Sequence, residues 1–367
     1  LSEKEALYRN YHFYLASIAQ RTPARSVEPR ETLGGANLRY NPFDMTGRYH
    51  PNKFPLTILL GLFIILWAEF FLFTDVHLTR RTAVHTETQA NAILAMPRDG
   101  LIGAIAREVS VNMTAIAWIG YLILTEGVVA RQSPGSPVRR RPHHFATLCL
   151  ASVFIWCVFD VINFHTGMRA WVYIGMPVRM EDKFLPYFFA FASIVPGMLM
   201  SGQVMLNGGW FNWARSRNWK MSRWIKAVAC LIGLLMFIWP LIYHNPITNL
   251  TLWTSLVFLL DPINDHFGRP SMFRDLQNGW YGRTLAAFAG GLLCGFLWEF
   301  WNYWALTKWT YNLPFLGRWG RLHYFEMPLP GLIGFIPFGL ECWVMWQTIR
   351  MCLDGLAEPL PSEKDLL

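Results

Sequence analysis

The chain has 367 residues, of which 53% are hydrophobic and only 15% charged, with a net charge of +8. A soluble domain carries about 25% charged residues. Here the apolar residues are gathered into blocks long enough to cross a hydrocarbon core, about 20 residues as helix. An ordinary soluble fold is therefore excluded. The basic residues lie between the blocks, where a membrane protein needs them, which argues against a nucleic acid partner.

In chain order, residues 1–53 are polar and basic and predict a cytosolic N-terminal arm, with one amphipathic helix near Tyr8–Ala19 and no cleavable leader. Apolar spans follow at about 54–75, 109–128, 145–165, 184–206, 226–244, 247–261, 284–305 and 331–352. The sixth is short and bounded by proline. The fold class expected is all-α: a polytopic membrane bundle of about eight transmembrane helices. Its organisation is a first four-helix unit over 54–206, a linker over 207–225, a second unit over 226–352, and a cytosolic tail over 353–367. The linker interleaves Trp210, Trp213, Trp219 and Trp224 with Arg215, Arg217, Lys220 and Arg223, as an interfacial segment does. With the N-terminus inside, Lys and Arg favour the inner segments by roughly two to one, so both termini are expected in the cytoplasm of a bacterium and the protein in its inner membrane.

The two units repeat one another. Trp118 precedes Glu126 by eight residues, and Trp253 precedes Asp261 by eight. Each acid leads into a turn, Ser133–Pro137 and Gly268–Ser271. The next span carries Asp160 with Asn163 in one unit and Glu299 with Asn302 in the other. Then come Trp171, Tyr173 and Pro177, against Trp309, Tyr311 and Pro314. The last span of each unit holds a proline, Pro196 or Pro337. Ordered matches of this kind predict duplication. A unit with an even number of spans keeps its orientation, so the two repeats should be parallel.

A carboxylate inside a span costs about 2.5–3.5 kcal/mol at the helix centre on insertion scales, so Asp160, Glu299 and Glu341 are candidate catalytic acids. Residues i and i+3 share a helix face. Asn163 and Asn302 therefore either satisfy their acids or converge with them on a ligand. Trp171, Tyr173, Trp309, Tyr311, Glu126 and Asp261 complete the candidate binding set. Glu341 fits a neutral proton donor or a helix–helix hydrogen bond. The histidines form no i, i+4 ligand pair, the six cysteines form no CxxC pair and suit small buried side chains, and no phosphate-binding glycine loop is present. No nucleotide, haem or metal signature results, and the cofactor is open.

The order acid-x-x-N, W-x-Y, then a proline-rich stretch before a Phe-bearing span resembles the tandem membrane domains of lycopene cyclase. The closest local match runs from Glu299 to Phe335. Pro330 and Gly331 stand where that family carries paired glutamates, so the resemblance implies the fold and not the cyclisation chemistry. The segment from Asp261 to Trp304 is also similar to an uncharacterised group of bacterial membrane proteins. Three functions follow as expectations: an enzyme or binding protein for a membrane-dissolved isoprenoid or lipid, a non-catalytic accessory subunit of a larger complex, or a transporter. Membrane lipids and other membrane subunits are the expected partners.

Overall fold

A computed structural model describes residues 55–133, 136–165, 167–354 and 366–367. The N-terminal arm with its expected amphipathic helix, and most of the tail, lie outside these residues. Among the described residues the chain is helical, with two short two-stranded ribbons.

Seven helices are long and apolar enough to cross a membrane. We label the bundle helices α1 Leu56–Thr79, α2 Gly100–Gln132, α3 Pro142–His165, α4 Met180–Asn207, α5 Arg223–Ile242, α6 Leu252–His266, α7 Gly282–Trp304 and α8 Phe335–Asp354. The sixth expected span is the one that falls short. α6 has 15 residues, about 22 Å at 1.5 Å per residue, less than the hydrocarbon thickness. A four-residue helix, Pro246–Asn249, leads into it. Between the two pieces the bonding tightens to i→i+3, Leu250 N–H to Ile247 O and Thr251 N–H to Thr248 O, both 3.1 Å. The run is helical from 246 to 266 but broken.

α4 is also in two pieces, Met180–Ala192 and Ile194–Asn207. Ser152 of α3 bridges the break: its hydroxyl donates to Phe191 O at 2.5 Å and accepts from Val195 N–H at 3.1 Å. Neighbouring side chains often satisfy freed backbone groups in this way inside a membrane.

Burial sorts the helices into two rings. α2, α4, α7 and α8 are more than half buried, whereas α1, α3 and α5 are buried over only about a fifth of their apolar windows. α1 packs along α2, α5 along α6, and α7 against both α8 and the second piece of α4. Small residues let the inner helices approach. A Cβ added at Gly291 of α7 would fall 2.7 Å from the Cα of Gly339 of α8. Trp118 fills the centre, edge-on to Trp298 and Trp301 at 5.5 and 5.2 Å.

The expected linker over 207–225 is shorter, because 208–222 is non-helical between α4 and α5 whereas Trp224 belongs to the first turn of α5; Trp210, Trp213, Trp219 and Trp224 are all exposed. Cysteine burial is narrower than expected: Cys294 and Cys342 are buried, while Cys157 and Cys352 are exposed on the outer faces of α3 and α8, and all six are free. Near the end of the chain Leu366 is not in solvent. It sits fully buried against α4 and α8, its N–H on Gln203 Oε1 at 2.8 Å and its carbonyl on Gln347 Nε2 at 3.1 Å.

Candidate functional site

At one end of the bundle the segments after α3 and α7 meet. β1, Trp171–Ile174, pairs antiparallel with β2, Lys308–Tyr311. The register sets Val172 opposite Thr310, Trp171 opposite Tyr311 and Tyr173 opposite Trp309. The two W-x-Y motifs thus face each other head to tail around one central pair.

The sequence places them there through the two asparagines. Asn163, in the last turn of α3, accepts from Ala170 N–H at 2.8 Å and donates to Trp171 O at 2.9 Å. Asn302, in the last turn of α7, accepts from Trp309 N–H at 3.0 Å and donates to Trp309 O at 2.9 Å. Each amide mimics a strand edge and pins the motif to the helix end. Beyond β1, Gly175 takes a positive φ of 66° and passes directly under Leu306 O, where a side chain has no room.

The acids one turn earlier reach the same motifs. Asp160 Oδ1 accepts from Trp171 Nε1 and from the Tyr173 hydroxyl, each at 3.0 Å, and Trp156 Nε1 donates to that hydroxyl at 3.1 Å. Glu299 Oε1 accepts from the Tyr311 hydroxyl at 2.6 Å, and Trp309 Nε1 donates to Tyr311 at 2.7 Å. Glu299 Oε2 is buried and has no partner among the described residues. Burial first, and then the adjacent carboxylates, push both tyrosine hydroxyls well above the usual tyrosine range, so they stay protonated and act as donors.

Beneath the ribbon lies a cavity of ≈ 410 Å³. Five tryptophans form much of its wall: Trp156, Trp171, Trp253, Trp298 and Trp309. Tyr173 and Tyr311 face it, while Asp160 and Glu299 stand behind them and do not line it. The candidate acids therefore reach the cavity through tyrosine.

The remaining candidates are not brought here. Glu341 accepts from the Leu256 N–H at 3.0 Å and joins α8 to α6. Glu126 receives Ser136 Oγ and Arg139 Nε, both at 2.7 Å, and closes the turn after α2. Asp261 takes the N–H groups of Met272 and Phe273 at 2.8 and 2.9 Å. Glu126 and Asp261 sit toward the other ends of their helices from the ribbon. On α2, Thr114 lines the cavity and Glu126 is twelve residues on, about 18 Å along the axis.

Sequence reasoning missed Lys308, which lines the cavity with its side chain fully buried. Its ammonium pairs with Glu326 and donates to Tyr303 O at 2.8 Å. Burial lowers it from the ordinary lysine value, and Glu326 draws it back. Its place immediately before a W-x-Y motif was the available signal. Also missed was a buried clasp in which Arg81 and Arg98 share Asp75 at 3.4 and 3.0 Å, and Arg81 reaches the Trp304 carbonyl at 2.7 Å. It ties the segment after α1 to the end of α7.

Among the described residues no group of three His, Cys, Asp or Glu side chains could hold a metal ion. No protein-family model, curated protein or solved structure matches this chain.

Proposed function

We propose that this protein holds a membrane-dissolved isoprenoid or lipid in the cavity beneath the β1–β2 ribbon. The observation that carries the reading is that cavity: ≈ 410 Å³, walled largely by apolar side chains, five tryptophans among them, with few polar groups converging on it. Small-molecule sites commonly have this form and volumes of about 300–1,000 Å³. Two lysines line it: the Lys308 ammonium is already matched by Glu326, and Lys183 stands partly exposed to solvent.

In this reading the two halves are parallel repeats of four spans, with the broken helix ending in α6 as the sixth span. The head-to-tail W-x-Y pairing supports it, because two copies related by an axis along the membrane normal would meet in that manner. The distribution of basic residues favours an outer ribbon end, with both termini in the cytoplasm of a bacterial inner membrane. Binding is better supported than turnover, since Asp160 and Glu299 stand behind tyrosines and Glu341 bridges two helices.

Native mass spectrometry of the protein released gently from its own membranes tests the reading. A discrete apolar mass, lost in a Trp171→Ala, Trp309→Ala double variant that still folds, is the expected result. Foreign subunits in fixed stoichiometry, with no discrete small molecule, would replace it with an accessory role.

A further inference from the structure

Among the described residues the lining of the cavity carries two charged side chains, Lys183 and Lys308, and no acid. Lys308 is spoken for, since Glu326 meets its ammonium from behind the wall. Lys183 is not. It makes no hydrogen bond or ion pair with any described residue, and it is partly open to solvent, so its ammonium can be reached. The uncompensated charge on the wall is therefore positive.

The first piece of α4 sets that charge at the rim. Lys183, Pro186, Tyr187, Ala190, Phe191 and Ile194 all line the cavity, and steps of three and four residues keep them on one helix face. Phe184, Leu185 and Phe189 are exposed on the other side of the same helix. Of the six, Lys183 lies nearest the helix start, one turn before Tyr187, whose ring meets Tyr173 of the ribbon edge-on at 5.8 Å. From Lys183 to Phe191 the stripe runs about 12 Å along the axis. Helical side chains lean toward the helix start, so the ammonium sits at one end of the stripe and the rings follow inward. The neighbouring charges do not compete for it. Arg179 and Glu181 pair with each other at 3.7 Å in the open, Asp182 is exposed, and none of the three lines the cavity.

We propose that the cavity's ligand is an acidic amphiphile: a lipid or isoprenoid chain lying among the rings, with a phosphate or carboxylate head on the Lys183 ammonium at the rim. The site is complementary to such a molecule at both ends. The chain finds tryptophan and aliphatic side chains. The head receives a charge-assisted hydrogen bond from a donor that gives none elsewhere. A neutral molecule leaves the ammonium unanswered. This inference rests on the ligand-site reading and adds the head group to it.

The test compares geranylgeranyl phosphate with geranylgeraniol, which share a chain and differ in the head. Each, tritiated, is titrated into the full chain in phosphatidylcholine nanodiscs and counted by scintillation proximity. Lys183→Gln should bind the phosphate about tenfold more weakly than the parent does, the lower end for a hydrogen bond to a charged group. Its affinity for geranylgeraniol should be unchanged, which certifies the fold; Lys183→Met repeats the measurement if Lys183→Gln does not fold. Lys183→Arg should keep the phosphate, and Arg179→Gln, as near the surface but off the lining, should change neither affinity. An undiminished phosphate affinity in Lys183→Gln, or an equal loss in Arg179→Gln, would overturn the inference alone. Inorganic phosphate, or phosphatidylglycerol added to the disc, should not displace geranylgeranyl phosphate from the parent. Displacement by either would also overturn the inference, and would assign Lys183 to a free anion or to the bilayer headgroups. Failure of both compounds to bind would overturn the ligand-site reading with it.

Discussion

The two acid–tyrosine pairs at the ribbon are built from the same parts and end in different states. Asp160 receives a tryptophan and a tyrosine directly. Glu299 receives only Tyr311, because Trp309 donates to the tyrosine instead, and its second oxygen is left buried and unpaired among the described residues. A second difference lies one residue before each motif, where Ala170 stands in one half and Lys308 in the other. The first pair is saturated and reads as framework. The second holds a charged residue at the cavity and a carboxylate with capacity to spare. Matching sequence motifs thus do not guarantee matching surroundings.

The largest test of this contrast is Lys308→Met. Removing one partner of a buried pair costs about 3–5 kcal/mol, read as a lower unfolding midpoint in detergent, and Lys308→Met with Glu326→Gln should recover most of it. Ala170→Ser in the other half should change little, as a one-sided burden requires. Next comes Asn302→Ala, which strands the N–H and the carbonyl of Trp309. At about 1–3 kcal/mol per buried orphan, and with both bonds only partly buried, a loss of roughly 2–4 kcal/mol is expected, with Asn163→Ala at least matching it. A smaller loss at Asn163 would mean the two anchors are not equivalent.

Asp160→Asn should then cost more than Glu299→Gln. Asp160 accepts from two donors, Trp171 Nε1 and the Tyr173 hydroxyl, where Glu299 accepts from one, so a neutral amide weakens two charge-assisted bonds there, a loss of about 1–2 kcal/mol. The amide introduced by Glu299→Gln would keep an acceptor toward Tyr311 and put its nitrogen where nothing is paired, within about 1 kcal/mol of the parent. A reversed order would show that the free Glu299 oxygen has a partner in the membrane. The smallest effect is expected at Arg179→Ala, which breaks an exposed pair with Glu181 at 3.7 Å and should cost below about 0.5 kcal/mol.

Most of the bundle was legible in the sequence because block length and the loss of charge in a span follow from the bilayer itself. The acid-x-x-N and W-x-Y motifs were legible as a site because their spacing fixes helix faces. Three features were not. The break before α6 depends on how residues 250–251 tighten, and apolar periodicity does not report that. The burial of Lys308 depends on Glu326, eighteen residues away across a loop. Arg81 and Arg98 meet on Asp75 from chain outside the spans, and no helix spacing brings the two together. The lipid-facing and inner helices differ in burial more than in pattern, because lipid and protein interior are both apolar surroundings.

The ribbon also bears on how the molecule can move. Four residue pairs zip the two halves together at one end, and each asparagine rivets its strand to a helix terminus. Prising the halves apart at that end would sever backbone hydrogen bonds where little water is present to replace them. The opposite end is fastened as well, by α7 lying against the second piece of α4 and by backbone bonds from Ser216 N–H to Gly279 O and from Tyr281 N–H to Ala214 O, at 3.0 and 3.1 Å. The cavity therefore sits in a frame bolted at both ends, and a ligand would have to enter by yielding side chains and not by parting the helices.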